Sequence, residues 1–79
     1  MTADAYREMS ANRRMRMFLD LTLVDVAAET GISPNKLSAA ERGQRPLSAA
    51  EGCLLRGFLK ARLAALRDVE HLERQQLEA

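Results

Sequence analysis

The stretch VAAETGISPNKLSAAERG, residues 26–43, constrains the fold of this chain more than any other part of the sequence. Gly31 interrupts a helical pattern, and Ser33 followed by Pro34 opens a second one. Glycine often ends a helix because it adopts the left-handed conformation without a Cβ clash. Serine is a favoured N-cap, and proline is tolerated at the first helical position. The stretch therefore predicts two short helices joined by a sharp turn.

Further signals mark the outer ends of these two helices. Thr22 is the expected N-cap of the first, because its hydroxyl can accept a hydrogen bond from the amide of Asp25. Gly43 is expected to end the second. The residues at helical spacing are Val26, Ala27 and Thr30, then Leu37 and Ala40. Two helices connected in this way form a helix-turn-helix.

A longer helix is predicted before this pair, from about Asp4 to Leu19. Its core-facing stripe is expected to be Ala11, Met15, Phe18 and Leu19. Three arginines, at positions 13, 14 and 16, then project mostly from the other flanks.

Another long helix is predicted after the pair, where Ser48 and Glu51 have the spacing of a capping box. Its apolar face is Leu54, Leu55, Phe58, Leu59, Leu63 and Leu66. The helix either runs to about Gln76 or restarts at Asp68. The sequence leaves both alternatives open.

Together these signals predict an all-α fold, since proline occurs only at positions 34 and 46 and β-branched residues are sparse. We expect a compact bundle of about four to five helices. Residues 1–66 would form the helix-turn-helix domain, and residues 67–79 a C-terminal helical extension that is a possible dimerisation element. A chain of 79 residues buries only about 60% of its unfolded surface, so dimerisation would help it.

Few residues offer catalytic or metal-binding chemistry. Cys53 and His71 do not have zinc-ligand spacing, and the sequence contains no Gly-rich phosphate loop, G-x-S-x-G motif or triad-like cluster. We therefore expect no catalytic residues, no metal, no cofactor and no enzyme activity. The sequence has no apolar run of about 18 residues. It also lacks a secretory signal and contains a single cysteine. We therefore expect no membrane partner and a cytoplasmic location.

The second helix of the pair has the polar surface that groove reading requires. Asparagine can pair bidentately with adenine, lysine reaches guanine or phosphate, and an alanine methyl can touch a thymine methyl. The expected base-reading residues are Asn35, Lys36, Ser38 and Ala39. The expected phosphate contacts are Thr22, Ser33, Arg42, Gln44 and Arg45.

The charge distribution supports this interpretation only in part. Residues 1–45 carry a net charge of +1 and residues 46–79 a net charge of zero, whereas nucleic-acid binders are typically strongly basic. The segment 36–45 is locally basic, with three cations against one glutamate. This balance predicts weak non-specific binding and a need for two subunits.

The stretch TLVDVAAETGISPNKLSAAERGQRPLS, residues 22–48, resembles the Cro/C1-type (XRE-like) helix-turn-helix transcriptional regulators. It covers about a third of the chain. The matching positions are Thr22, Val26, Ala27, Gly31, Ile32, Ser33, Leu37, Ser38, Glu41, Gly43, Arg45 and Pro46. The resemblance implies a lambda-repressor-like fold and a regulator, expected to be a repressor, that binds a palindromic operator in double-stranded DNA as a homodimer.

The resemblance also implies a structural ion pair between a basic residue of the first helix and the glutamate near the end of the recognition helix. In this sequence those residues are Arg16 and Glu41. The alternative is that both are solvated surface charges.

The sequence departs from the family pattern at three places. Leu23 stands where members usually carry glutamine, and Pro34 occupies a recognition position that is often polar. Beyond residue 66 the chain continues without a break, either as a dimerising helix or as a polar tail docked on its own domain. The expected dimerisation residues are Leu59, Leu63, Leu66, Val69 and Leu72.

Two other functions compete with DNA binding. One is a protein-interaction module of the antitoxin or antiactivator type, with a second regulatory protein as its partner. The other is a helical oligomer with no DNA role, which leaves the loop residues Gln44 and Arg45 without a function. A steep loss of duplex affinity with increasing salt would distinguish DNA binding from both alternatives.

Overall fold

The computed structural model describes residues 3–78 and contains four helices in that range. They are α1 (Ala3–Phe18), α2 (Leu23–Thr30), α3 (Pro34–Glu41) and α4 (Ala49–Glu78). The described residues include no β-strand, so the predicted all-α fold is confirmed.

The ends of α2 and α3 are set by local capping, as the sequence predicts. The Thr22 hydroxyl accepts from the amide of Asp25 at 3.0 Å, and the Asp25 carboxylate accepts from the amide of Thr22 at 2.9 Å. At the other end of α2, Gly31 has a φ of 76°, which costs glycine little. Ser33 caps α3 by accepting from the amide of Lys36 at 3.2 Å. Local sequence is therefore sufficient to define this helix pair.

A small core forms where all four helices meet. The buried apolar residues are Met9, Val26, Ile32, Leu37, Ala40, Leu55 and Leu59. Both α1 and α4 pack on the helix pair, with α1 contacting α3 and α4 contacting α2. This packing leaves one side of α3 uncovered by the other helices.

The predicted stripe of α1 was wrong at two of its four positions, since Ala11 is exposed and Phe18 is 70% exposed. The buried side instead carries Met9 and Asn12, which lie about 100° to 180° around the helix from Ala11 and Phe18. Asn12 donates to the Met9 sulfur at 3.8 Å. Apolar periodicity in the sequence does not reveal this side of α1, because one of its buried residues, Asn12, has a polar amide side chain.

Helix α4 runs without interruption from Ala49 to Glu78, with Ser48 and Glu51 forming the predicted capping box. The structure thus decides for a continuous helix. Its 30 residues span about 45 Å and account for most of the molecule's longest dimension of 50 Å. The proposed boundary between residues 66 and 67 consequently lies inside a helix.

The predicted apolar face of α4 is only partly used by the core. Leu55 and Leu59 are buried, whereas Leu54 is exposed to 51% and Leu66 to 37%. Leu59 has no exposed surface, so its assignment to the dimerisation set was wrong. It is a core residue because α4 passes over α1 and α2 at this level.

Candidate nucleic-acid interface

Helix α3 presents two opposite sides. Leu37 and Ala40, exposed to 1% and 0%, anchor it in the core. At 3.6 residues per turn, the side farthest from these two carries Asn35, Ser38, Ala39 and Arg42. We call these four residues the outer side of α3. Asn35 and Arg42 are exposed, and the small side chains of Ser38 and Ala39 are half-buried, less open than the sequence suggested.

Lys36 does not belong to the outer side of α3. Its ammonium donates to a carboxylate oxygen of Glu51 at 2.8 Å and so connects α3 to the first turn of α4. The charge of Lys36 therefore already has a partner, and contact with a base would require this exposed ion pair to open. The base-reading role of Lys36 stays a prediction. Sequence position alone could not reveal this ion pair, because 15 residues separate the two.

A shallow cleft lies beside the outer side of α3. It is formed by α1, the start of α2 and α3, and its lining includes Arg13, Leu23, Ser38 and Arg42. Arg13 is 57% exposed on its side chain. No motif in the sequence marks Arg13 as part of this site, because only the folded chain shows that α1 passes beside α3.

The ion pair between Arg16 and Glu41 is present. Arg16 Nε and Nη2 donate to the two carboxylate oxygens of Glu41, each at 2.8 Å, and Nη1 donates to the carbonyl of Leu21 at 2.8 Å. The two side chains are exposed to only 14% and 9%, which contradicts the alternative of two solvated charges. This bidentate contact joins α1 to the end of α3 and to the loop before α2.

The same ion pair shapes the charge of the candidate interface. The hydrogen bond to Glu41 raises the pKa of Arg16 further above its ordinary value, although burial acts in the opposite direction. Arg16 thus stays charged at any working pH. Glu41 is already paired with Arg16 and lies 3.8 Å from Arg13. Its negative charge therefore does not neutralise that of Arg42 on the outer side of α3.

The expected phosphate-contacting residues near the end of α3 are accessible. Arg42, Gln44 and Arg45 are exposed, and the amides of residues 44 and 45 both donate to the carbonyl of Ala39, at 2.9 and 3.4 Å. Arg42 Nε donates to the carbonyl of Ser38 at 3.3 Å. The loop is therefore held close to α3, and its Arg45 adds a second cation beside Arg42.

The two N-cap residues differ in what they can offer a phosphate. Ser33 is exposed, and its hydroxyl can still donate while it accepts from the amide of Lys36. At Thr22 the amide is already donated to Asp25, and that same hydrogen bond is the main reason why the pKa of Asp25 is lowered. An ionised carboxylate at this end disfavours a phosphate, so the structure supports Ser33 better than Thr22.

The first turn of α4 gives the molecule an acid-sensitive contact. The hydrogen bond from Lys36 lowers the pKa of Glu51 most, and the Ser48 amide and hydroxyl lower it further. A carboxyl whose pKa is lower in the folded state stabilises the fold above its unfolded pKa and loses this contribution as pH falls through the folded value.

We therefore predict that the free energy of unfolding declines below the ordinary carboxyl pKa of about 4. In Glu51→Gln, which cannot ionise, the acid-side decline should be shallower than in the wild type. Urea unfolding followed by circular dichroism from about pH 6 to about pH 3 measures this. Glu29→Gln, at an exposed position of α2, controls for the loss of one negative charge. An unchanged decline in Glu51→Gln would contradict the prediction.

Among residues 3–75, whose side chains the structure describes, no three His, Cys, Asp or Glu side chains are grouped in a way that could hold a metal ion. Over the same range, no helix combines the length and apolar character that crossing a bilayer would require.

Comparisons of the chain with family models, with curated proteins and with solved structures found no match. The resemblance to Cro/C1-type regulators consequently rests on the motif in residues 22–48 and on the residues described above.

Proposed function

We propose that this protein is a sequence-specific DNA-binding transcriptional regulator of the Cro/C1 type that acts as a homodimer, most simply as a repressor. Its α3 would enter the major groove of each half of a palindromic operator. In helix-turn-helix dimers, such half-sites lie about 10 bp apart or a multiple of that distance. Occupying a promoter in this way would block transcription.

The outer side of α3 is the observation that carries this proposal. A groove-reading helix needs a polar side free of packing and an opposite side anchored firmly enough to hold its orientation. Leu37 and Ala40 supply the anchor, and Asn35 lies exposed near the start of α3. Its amide can donate to N7 and accept from N6 of adenine when placed against that base.

The surrounding cations support a phosphate-binding role. Arg42 and Arg45 flank the C-terminal end of α3, and Arg13 lies on the adjoining wall of the cleft. Such contacts fix the register of a protein on the duplex without reading sequence. With a total net charge of only +1, the affinity of a single subunit would be modest, and the proposed dimer doubles the number of contacts.

A protein-interaction module on the same scaffold is the second candidate function. Two apolar residues favour it, since Leu23 and Pro34 occupy places where DNA-reading relatives in the family usually have polar side chains. A partner protein could contact the cleft beside α3 through Leu23, which lines it. Such binding would depend little on salt, whereas duplex binding releases counterions and weakens steeply as salt increases.

The decisive experiment is a selection from random duplex DNA with the purified protein, run in parallel with Asn35→Ala. Enrichment of a palindrome by the wild type and its loss or relaxation in the variant would support operator reading through α3. If folded protein enriches no sequence and shows no salt-dependent duplex binding, the proposed function is wrong and the protein-interaction module becomes the better candidate.

Once an operator sequence has been identified, two substitutions should have different effects on DNA binding. Asn35→Ala should lose about 1–3 kcal/mol and relax the preference at one base position. Arg45→Ala should weaken binding to all sequences alike and reduce the salt slope by about one. Titrations at several salt concentrations measure both quantities, with Lys60→Ala, an exposed cation on α4, as the matched control for Arg45. A sequence-selective effect of Arg45→Ala would instead make it a base-reading residue.

A further inference from the structure

The C-terminal half of α4 leaves apolar side chains exposed. Val69 is exposed to 50% and Leu72 to 58%, and Leu66 is partly exposed one turn earlier. Leu66 and Val69 line a groove formed with the end of α1 and the following loop, where Phe18 is also exposed. Contiguous apolar surface of this kind on a small protein commonly marks an interface.

This apolar surface continues the core instead of standing apart from it. Leu55 and Leu59 are buried, and the same side of the helix carries Arg62, Leu66 and Val69 farther along. The side chains become exposed where α4 extends past α1 and α2. The helix therefore carries a core-like side into a region where the chain's own described residues do not cover it.

Charge is distributed unequally along α4, and this indicates what covers the surface. Residues 56–67 contain four basic residues and no acidic one, whereas residues 68–78 contain four acidic residues and one arginine. Of these charges, Arg62 and Glu73 lie on the apolar side of α4, one at each end of it. Two such sides attract each other when the helices run antiparallel, because Arg62 of each copy then faces Glu73 of the other. A parallel pair would bring Arg62 beside Arg62 and Glu73 beside Glu73.

From this we propose that a second copy of the chain occupies the surface, with the C-terminal halves of the two α4 helices packed antiparallel about a twofold axis. The apolar contact consists of Leu66 and Val69 from each copy, with Leu72 and Phe18 at its edge. A symmetric pair uses the same patch on both copies, so a patch that is apolar at its centre and opposite in charge at its two ends is self-complementary.

A specific register follows from this symmetry. If Leu66 lies opposite Val69 of the second copy, Arg62 lies opposite Glu73 of that copy, and the pair occurs twice. Arg62 and Glu73 are on the same side of the helix as Leu66 and Val69, as a repeat of 3.6 residues requires.

This inference names the surface of the homodimer and to that extent rests on the proposed function. The surface contains no residue of α3, so its pairing leaves the outer side of α3 accessible. Self-association is measured without DNA, which keeps the two proposals separable. If the protein dimerises but binds no duplex, the interface is supported and operator reading is contradicted. If it binds DNA as a monomer, operator reading is supported and the interface is contradicted.

Sedimentation equilibrium over a range of protein concentrations, without DNA, tests the interface. The wild type should show a monomer–dimer equilibrium, and Val69→Glu should raise the dimer dissociation constant at least about tenfold, since it places a charge in the apolar contact. Leu54→Glu is the matched control, because Leu54 is equally exposed at 51% but lies near the start of α4, outside the proposed contact. Circular dichroism checks that each variant is folded.

A charge exchange tests the antiparallel register. Arg62→Glu and Glu73→Arg should each weaken the dimer, by roughly tenfold for two exposed pairs turned repulsive, and the double variant should restore it. In a parallel pair, neither single change would weaken association. A strictly monomeric wild type, a dimer insensitive to Val69→Glu, or single charge changes without effect would each overturn the proposal.

Discussion

Replacing Arg16 with alanine should lower the free energy of unfolding by about 3 kcal/mol. The substitution leaves the Glu41 carboxylate, exposed to only 9%, without its bidentate partner. It also removes the hydrogen bond that Arg16 donates to the carbonyl of Leu21. A buried charge that loses its partner keeps the cost of desolvation and loses the attraction that offset it. Urea unfolding followed by circular dichroism measures the change.

Arg13→Ala is the matched control for this prediction. Arg13 approaches the same carboxylate to 3.8 Å, but its side chain is 57% exposed. We expect this variant to lose less than about 1 kcal/mol, as is usual for solvated ion pairs. Equal losses of unfolding free energy in Arg13→Ala and Arg16→Ala would show that burial of the ion pair does not explain its contribution to stability.

A double replacement distinguishes the loss of one partner from the net value of the pair. In Arg16→Met with Glu41→Leu, neither charge is left behind, and such apolar replacements of buried pairs are often neutral or stabilising. We therefore expect the double variant to recover most of the stability that Arg16→Ala loses. A double variant as unstable as the single one would mean that the hydrogen bond to Leu21 provides most of the stabilisation.

Leu59→Ala is expected to have an effect of similar or larger size, about 2–5 kcal/mol of unfolding free energy. Leu59 is one of the largest fully buried side chains in the core. Its removal loses the transfer free energy of the deleted carbons and leaves a cavity that the surrounding helices fill only in part. In a chain of 79 residues, a loss of this size approaches the whole stability of some domains.

Leu72→Ala is the control, since it deletes the same atoms from a side chain that is 58% exposed. This variant should unfold at nearly the wild-type urea concentration when the protein is dilute, and should differ mainly in self-association. If Leu59→Ala instead left dilute stability intact and abolished association, the structural placement of Leu59 in the core would be wrong.

Features that depend on a few neighbouring residues were predicted well. The caps at Thr22 and Ser33, the positive φ at Gly31 and the capping box of Ser48 with Glu51 all occur as expected. Capping hydrogen bonds join residues three positions apart, so their partners can be identified directly in the sequence. A positive φ at a helix end likewise selects glycine for reasons local to that residue.

One distant contact was also anticipated, but through the family resemblance and not through the residues themselves. Arg16 and Glu41 are 25 positions apart, and neither periodicity nor composition connects them. The comparable contact between Lys36 and Glu51 was missed, since the motif carries no signal for it. Both pairs depend on where separate helices come to lie.

The sequence by itself determined the order of the helices, the turn between α2 and α3 and much of the outer side of α3, because helix propensity, capping and turn geometry act over a few residues. Only the tertiary structure decided which sides of α1 and α4 are buried, that Lys36 pairs with Glu51, and that Leu59 is core while Leu72 is exposed. These outcomes depend on which helices pack against each other, and the free energy of that packing comes from contacts between residues distant in sequence.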